Sequence, residues 1–205
     1  MASFYSKLFA KYYDSFMVSF EAKLKKDRRS MLQNLTGNVL DVGSGTGINF
    51  EFFNKNATIF AVEPSKAMQD KSVEKVQNKN IKLINLGVND VKLDSYIKEN
   101  TLDVIVCTLV LCTIPNPDLA LDNFKKWLKP NGKLIIIEHI HSDKKVNAVF
   151  EKLINPLWSV LGEGCNLTRN TDVLIKEKGF FPKKTSYFTL GLRICKGEYV
   201  LVNTV

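Results

Sequence analysis

The sequence has no uninterrupted apolar run near the roughly 20 residues that a membrane-spanning helix needs; its longest apolar stretches are strand-sized. At its start Lys7, Lys11 and Asp14 interrupt every run that would serve as the apolar block of a signal peptide, so secretion is not expected. Only four cysteines and two histidines occur in 205 residues, and Cys107, Cys112, Cys165 and Cys195 show neither CxxC pairing nor the histidine spacing of a zinc site. No metal is expected, and the cysteines read as reduced thiols of a cytoplasmic protein. Internal repeats and low-complexity segments are absent too. With 45% hydrophobic and 24% charged residues the composition is that of a folded globular chain, which excludes disorder and fibres, and the length suits one α/β domain.

Negative charge is in deficit, leaving a net +8. The excess lies at the two ends: residues 1–30 and 166–205 each carry seven basic and three acidic side chains, and residues 31–165 are balanced. Basic flanks of this kind fit a solvated face, an anionic membrane surface or an acidic ligand.

Phe4, Tyr5, Leu8, Phe9, Tyr12, Tyr13, Phe16, Met17 and Phe20 recur at spacings of one, three and four, which predicts an amphipathic helix over 3–20, with a second, Lys/Arg-rich helix over about 21–35 that stops at Gly37. Strands are predicted at 38–42, 58–62, 81–86, 102–109 and 133–140, the fourth an apolar run of the kind buried on both faces of a parallel sheet. Helices are expected through Phe53 after the glycine turn at 43–47, over 66–78 with Ser65 as cap, over 118–129, over 144–161 with an irregularity at Pro156, and from a Thr168 cap to Lys178. Pro130-Asn131-Gly132 reads as a turn, and two β-rich stretches at about 183–190 and 194–203 close the chain. This order predicts an α/β fold: a Rossmann-like, doubly wound, mostly parallel seven-stranded sheet with an antiparallel C-terminal hairpin. Residues 1–35 form its expected helical lid and 36–205 its body.

The glycines at 43, 45 and 47 follow a strand and let the backbone pass close to a ligand. A dinucleotide fingerprint would need glycine where Ile48 stands, so pyrophosphate is the weaker reading. A GxGxG turn preceded by Asp41 instead fits a ligand carrying both carboxylate and ammonium, such as the methionine end of S-adenosylmethionine. Glu63, 16 positions beyond Gly47 at the end of the second strand, is placed to accept both hydroxyls of an adenosine ribose. Val88 and Asn89, after the third strand, are candidates for the adenine.

The run Leu40-Asp41-Val42-Gly43-Ser44-Gly45-Thr46-Gly47 and the later Val62-Glu63-Pro64-Ser65 resemble motifs I and II of the class I S-adenosylmethionine-dependent methyltransferases. The strings Cys107-Thr-Leu-Val-Leu-Cys112, Glu138-His139 and Gly164-Cys-Asn-Leu-Thr-Arg169 are similar to those of the animal thiol S-methyltransferases found on endoplasmic reticulum and lipid droplets. The resemblance covers roughly residues 30–205. It implies S-adenosylmethionine as cofactor, held by Asp41, Gly43, Ser44, Gly45, Gly47, Glu63, Pro64, Met68, Val88 and Asn89, with Cys107 and Thr108 beside the transferring methyl. The animal enzymes carry a hydrophobic N-terminal anchor. Here the front segment resembles the lid of small bacterial methyltransferases, including phospholipid and quinone-precursor enzymes, in which an aromatic residue closes over the cofactor; Tyr13 takes that part.

The expected acceptor is a small thiol, with His139 at the end of the fifth strand as base or positioning group and Thr108 beside it. The Asn/Asp-Pro-Pro-aromatic string of enzymes that methylate nucleic-acid amines is absent after the fourth strand, so DNA and RNA are not expected partners. Arg169 suits either an anionic substrate or the first turn of a helix. Two rival readings are a phosphatidylethanolamine N-methyltransferase drawn to anionic lipid by its basic aromatic helix, which would make the protein membrane-peripheral, and a cofactor- or RNA-binding protein without turnover.

Overall fold

The computed structural model describes residues 4–76 and 80–201. Its centre is a seven-stranded sheet in the order β3-β2-β1-β4-β5-β7-β6, built from β1 (Gly37–Val42), β2 (Ala57–Val62), β3 (Ile81–Ile84), β4 (Leu102–Thr108), β5 (Leu128–Ile140), β6 (Phe180–Leu190) and β7 (Leu192–Leu201). The first five run parallel, and β7 is antiparallel to both β5 and β6. Only Gly191 separates the hairpin strands, at φ +76, a backbone conformation that glycine adopts without strain. Residues 39–42 of β1 and 104–108 of β4 are buried on both faces because each face of the sheet is covered. On one face Leu121, Phe124 and Trp127 of α3 (Pro117–Trp127) and Ile175 of α5 (Thr171–Glu177) pack on Leu40, Ile105, Leu134 and Ile136. On the other, Leu32 of α1 (Phe4–Leu32) and Phe50, Phe52 and Phe53 pack on Val39, Ile59, Val104, Val106 and Ile135. Strand order reverses between β1 and β4, and open α/β sheets bind ligands at such a switch point, at the C-terminal strand ends.

Several expected elements differ from those observed. The two N-terminal helices are one, α1, because no glycine or proline interrupts residues 4–32; Leu24, in its C-terminal third, joins Ile137 and Ile194 and seats the helix on the sheet. No α-helix follows the glycine turn. Gly43, Gly45 and Gly47 all have positive φ (60, 54 and 77), a repetition that prevents helical propagation, and only a short 3-10 turn, Phe50–Phe52, forms. The second helix, α2 (Lys66–Ser72), gives way to a 3-10 segment, Val73–Val76; its expected end near 78 lies outside the described residues. The Ser65 hydroxyl makes no capping bond to it. Pro130-Asn131-Gly132 is an irregularity inside the long strand β5, with the pairing to β4 jumping from Leu102↔Leu128 to Val104↔Lys133. α4 (Lys145–Leu161) continues through Pro156. Asn170, not Thr168, precedes α5, since the Thr168 hydroxyl bonds to Asn166 Oδ1 instead.

Candidate active site

A cavity of about 1270 Å³ opens at the C-terminal ends of the parallel strands, large enough for a cofactor and an acceptor together. Its floor is the glycine turn and its roof is α1. Ser44 N donates to Val62 O (3.1 Å), which fixes the turn against β2. A Cβ on Gly43 would lie 2.2 Å from Val110 Cγ2, so only glycine fits between this turn and the loop after β4. Glu63 spans the floor: Oε2 accepts from Gly45 N (3.0 Å) and Oε1 from Ser65 N (2.7 Å). Burial raises its pKa, and these two N–H donors pull it back. Asn85 Nδ2 donates to the Glu63 and Pro64 carbonyls and holds the next loop in place.

Among the expected cofactor residues, Gly43, Ser44, Gly45, Glu63, Pro64, Met68, Val88 and Asn89 line this cavity, as does Tyr13 of α1. Three of their neighbourhood's polar atoms, Ser44 Oγ, Ser65 Oγ and Asn89 Oδ1, are buried without a hydrogen-bond partner, and all three residues face the cavity. Unsatisfied groups converging on one space fit a polar ligand with hydroxyls and amines, as an adenosine derivative has. Asp41, Gly47 and Cys107 do not reach it. Gly47 is packed against Phe50 and Ser72, and Cys107 is fully buried in the core. Asp41 is fully buried behind Asn49, whose Nδ2 donates to Asp41 Oδ1 (2.8 Å) and Thr108 Oγ1 (3.0 Å). Asn49 Oδ1 in turn accepts from Arg28 Nη1, and Arg28 forms a two-bond pair with Glu21, both bonds 2.8 Å. This chain of polar groups ties the roof helix to β1 and β4. Sequence reading missed it because Arg28, Glu21 and Asn49 sit in unremarkable contexts 7 and 21 residues apart. A second tie runs from Thr46 Oγ1 to Asp14 Oδ1 (2.7 Å).

Desolvation drives Asp41 up to about 7, against the Asn49 hydrogen bond and the Arg28 charge. Its folded pKa lies above its unfolded one, so the folded state keeps a proton that the unfolded chain has released. The contribution is present below about pH 4 and is lost as pH rises through about 7. Glu138 behaves alike: burial lifts it to about 7 while Val110 N and Leu111 N (2.9 and 3.0 Å) oppose. Stability measured by urea unfolding is therefore expected to fall from pH 5 to pH 8, and Asp41→Asn to reduce that fall by up to about 3 kcal/mol, leaving Glu138's share.

At the β4–β5 end of the cavity, Thr108 and His139 both line it. His139 Nε2 lies 3.1 Å from Cys165 Sγ, Trp158 Nε1 donates to the same sulfur (3.2 Å), and Cys112 Sγ is 3.8 Å from it. The Cys112 contact holds the Cys165 thiol well below the usual range against its burial, and His139 and Trp158 add to that; burial lowers the His139 pKa, but Cys165 reverses the shift to a net rise. Nothing in the linear spacing of residues 112, 139 and 165 announced this grouping. His141 pairs with Glu151 (2.7 Å) away from the cavity. Arg169 donates to the carbonyls of Leu111 and Ile114, so it braces the loop after β4 and does not line the cavity.

A family profile described as a methyltransferase domain matches residues 13–173. Thiol S-methyltransferase TMT1A of Homo sapiens is 26% identical over 191 residues, covering 86% of this chain and 78% of its own length. Thiol S-methyltransferase TMT1B of Rattus norvegicus is 29% identical over 154 residues, covering 72% of this chain; the match spans 63% of the rat protein. Among solved structures, a SAM-dependent methyltransferase from Aquifex aeolicus superposes with a TM-score of 0.60 at 17% identity, over 86% of this chain and 89% of that one.

Proposed function

The chain belongs to the methyltransferase-domain family, and from that premise we propose that this S-adenosylmethionine-dependent enzyme moves the methyl group to a small thiol. The thiol rests on the likeness to enzymes named for that acceptor and on the imidazole and sulfur groups that form the acceptor-side wall. When bound, the cofactor supplies a methyl on a cationic sulfonium whose leaving group departs neutral. The chain's own part is to position and to exclude water. Glu63 orients the ribose, Asn89 and Val88 the adenine, and the aromatic side chains of α1, Tyr13 among them, close the roof. A thiol of pKa about 8.5 is only a few per cent ionised at neutral pH, and His139 is placed to take its proton. Overall, a thiol and a sulfonium give a methyl thioether, S-adenosylhomocysteine and one proton. His139→Asn is expected to lower kcat for thiol methylation by roughly 10²–10⁴-fold while cofactor affinity by calorimetry stays that of the parent; an unchanged kcat removes His139 from the chemistry.

One surface favours a membrane-peripheral location. No helix of the described residues is long and apolar enough to cross a membrane. Yet Val146, Phe150, Leu153, Leu157 and Val160 form a stripe along α4 and are 60–81% exposed. Lys144, Lys145 and Lys152 accompany it, all exposed. Tyr5 Oη donates to Leu161 O (2.7 Å), so this face meets α1 at the cavity mouth. An anionic bilayer complements both the apolar stripe and the lysines. Flotation with phosphatidylglycerol-containing vesicles should retain the protein at low salt, and Leu153→Glu with Leu157→Glu should release it. Absence of binding, or binding that the double substitution leaves intact, contradicts the proposal.

A further inference from the structure

The acceptor-side wall groups three soft donors. Cys112 in the loop after β4, His139 near the end of β5 and Cys165 between α4 and α5 bring two sulfurs and an imidazole nitrogen within 4.8 Å of one another. Cys112 and His139 are buried, Cys165 is half-buried, and all three line the cavity. A tetrahedral zinc ion has Zn–S bonds of about 2.3 Å and Zn–N bonds of about 2.0–2.1 Å, which fixes the S···S edge at about 3.8 Å and the S···N edge at about 3.5 Å. The two sulfurs are already 3.8 Å apart, His139 Nε2 is 3.1 Å from Cys165, and the imidazole lies within 4.8 Å of Cys112, so the ion would draw the ring outward from Cys165 and set its distance to Cys112.

The surroundings hold these donors in place. Glu138 accepts from Val110 N and Leu111 N, and Arg169 donates to the carbonyls of Leu111 and Ile114, so the loop bearing Cys112 is clamped from both sides. The Trp158 indole N–H points at Cys165 Sγ, as outer-sphere donors do at metal-bound thiolates.

We propose that Cys112, His139 and Cys165 form a three-ligand site for a zinc-class ion, with the fourth coordination position open to the acceptor end of the cavity. Three protein ligands with one open position is the arrangement of catalytic rather than structural zinc. Loading the site releases two protons, one from Cys112 and one from the Cys165–His139 pair. The inference rests on the thiol reading above and sharpens it: the acceptor thiol enters the fourth position and loses its proton to solvent. Its sulfur then forms the new bond to the methyl carbon as the sulfonium bond breaks, the electron pair remaining on S-adenosylhomocysteine. No oxidant or reductant is consumed. His139 then serves as ligand, and coordination takes over the deprotonation.

Cobalt(II) added to the reduced, chelator-treated full chain is the direct probe. One equivalent is expected to give a thiolate-to-cobalt charge-transfer band with tetrahedral d–d bands, bleached by zinc(II), and ethanethiol should add further charge-transfer intensity. Cys112→Ser with Cys165→Ser should abolish the band while circular dichroism stays that of the parent; His139→Ala, which keeps both sulfurs, should alter the d–d bands. No band at one equivalent, or a band that persists in the double variant, overturns the site. Thiol methylation is followed in parallel with and without zinc. Cobalt binding without methylation of any thiol leaves the metal site standing and removes the thiol reading; equal methylation of thiols with and without chelator, and no cobalt binding, does the reverse.

Discussion

Glu63→Ala is expected to weaken S-adenosylmethionine binding by roughly 10²-fold or more. In the fold its carboxylate sits at the end of β2, buried, facing the cavity, and already engaged by Gly45 N and Ser65 N. Each hydrogen bond to a charged group contributes about 1.5–3 kcal/mol, and a ribose presents two hydroxyls to it. Alanine removes those acceptors and also leaves two backbone donors unpaired beside the ligand. Glu63→Gln keeps one carbonyl oxygen and is expected to fall between parent and alanine variant. Titration calorimetry measures both. Parent-like affinity in Glu63→Ala would mean that the nucleoside lies elsewhere in the cavity.

Arg28→Ala carries the largest expected loss of stability. The guanidinium is 1% exposed and links Glu21, on its own helix, to Asn49, through which it reaches Asp41 and Thr108. Truncation leaves the Glu21 carboxylate uncompensated at the helix–sheet junction and frees Asn49 Oδ1. Breaking a buried pair this way costs about 3–5 kcal/mol, a fall in Tm of roughly 10 °C for a chain of this size. Because the same pair anchors the roof, cofactor affinity should fall with it. Replacing both partners, Glu21→Leu with Arg28→Met, should recover part of the lost stability, since no unpaired charge then remains. Thermal unfolding of the single and double variants tests the point; a single variant as stable as the parent would show that the network does not hold α1.

The parts of this molecule that were legible in sequence are those with local signatures. The five parallel strands announced themselves as apolar runs, and the glycines at 43 and 45 with Glu63 after β2 marked the floor of the cavity. What sequence misplaced was decided by backbone conformation or packing. Three left-handed glycines in five residues removed the expected helix after the turn, and Asn166 drew the Thr168 hydroxyl away from capping α5. Asp41 has the right place in the motif, yet it points into the interior and serves Asn49. The Arg28 network and the grouping of Cys112, His139 and Cys165 were invisible for another reason. Arg28 and Asn49 lie 21 residues apart and meet only when α1 packs on the sheet, and Cys112, His139 and Cys165 lie 26 to 53 residues apart and meet only where β4, β5 and the loop after α4 converge.

The acceptor decides the central claim. Purified protein given methyl-labelled S-adenosylmethionine should be offered hydrogen sulfide, an alkyl thiol, phosphatidylethanolamine vesicles and bulk RNA in separate reactions, with the labelled product identified in each. The account predicts label in a methyl thioether from the thiol, or in methanethiol from sulfide, with lipid and RNA unlabelled. Label in phosphatidylethanolamine or RNA, with none on sulfur, would contradict it.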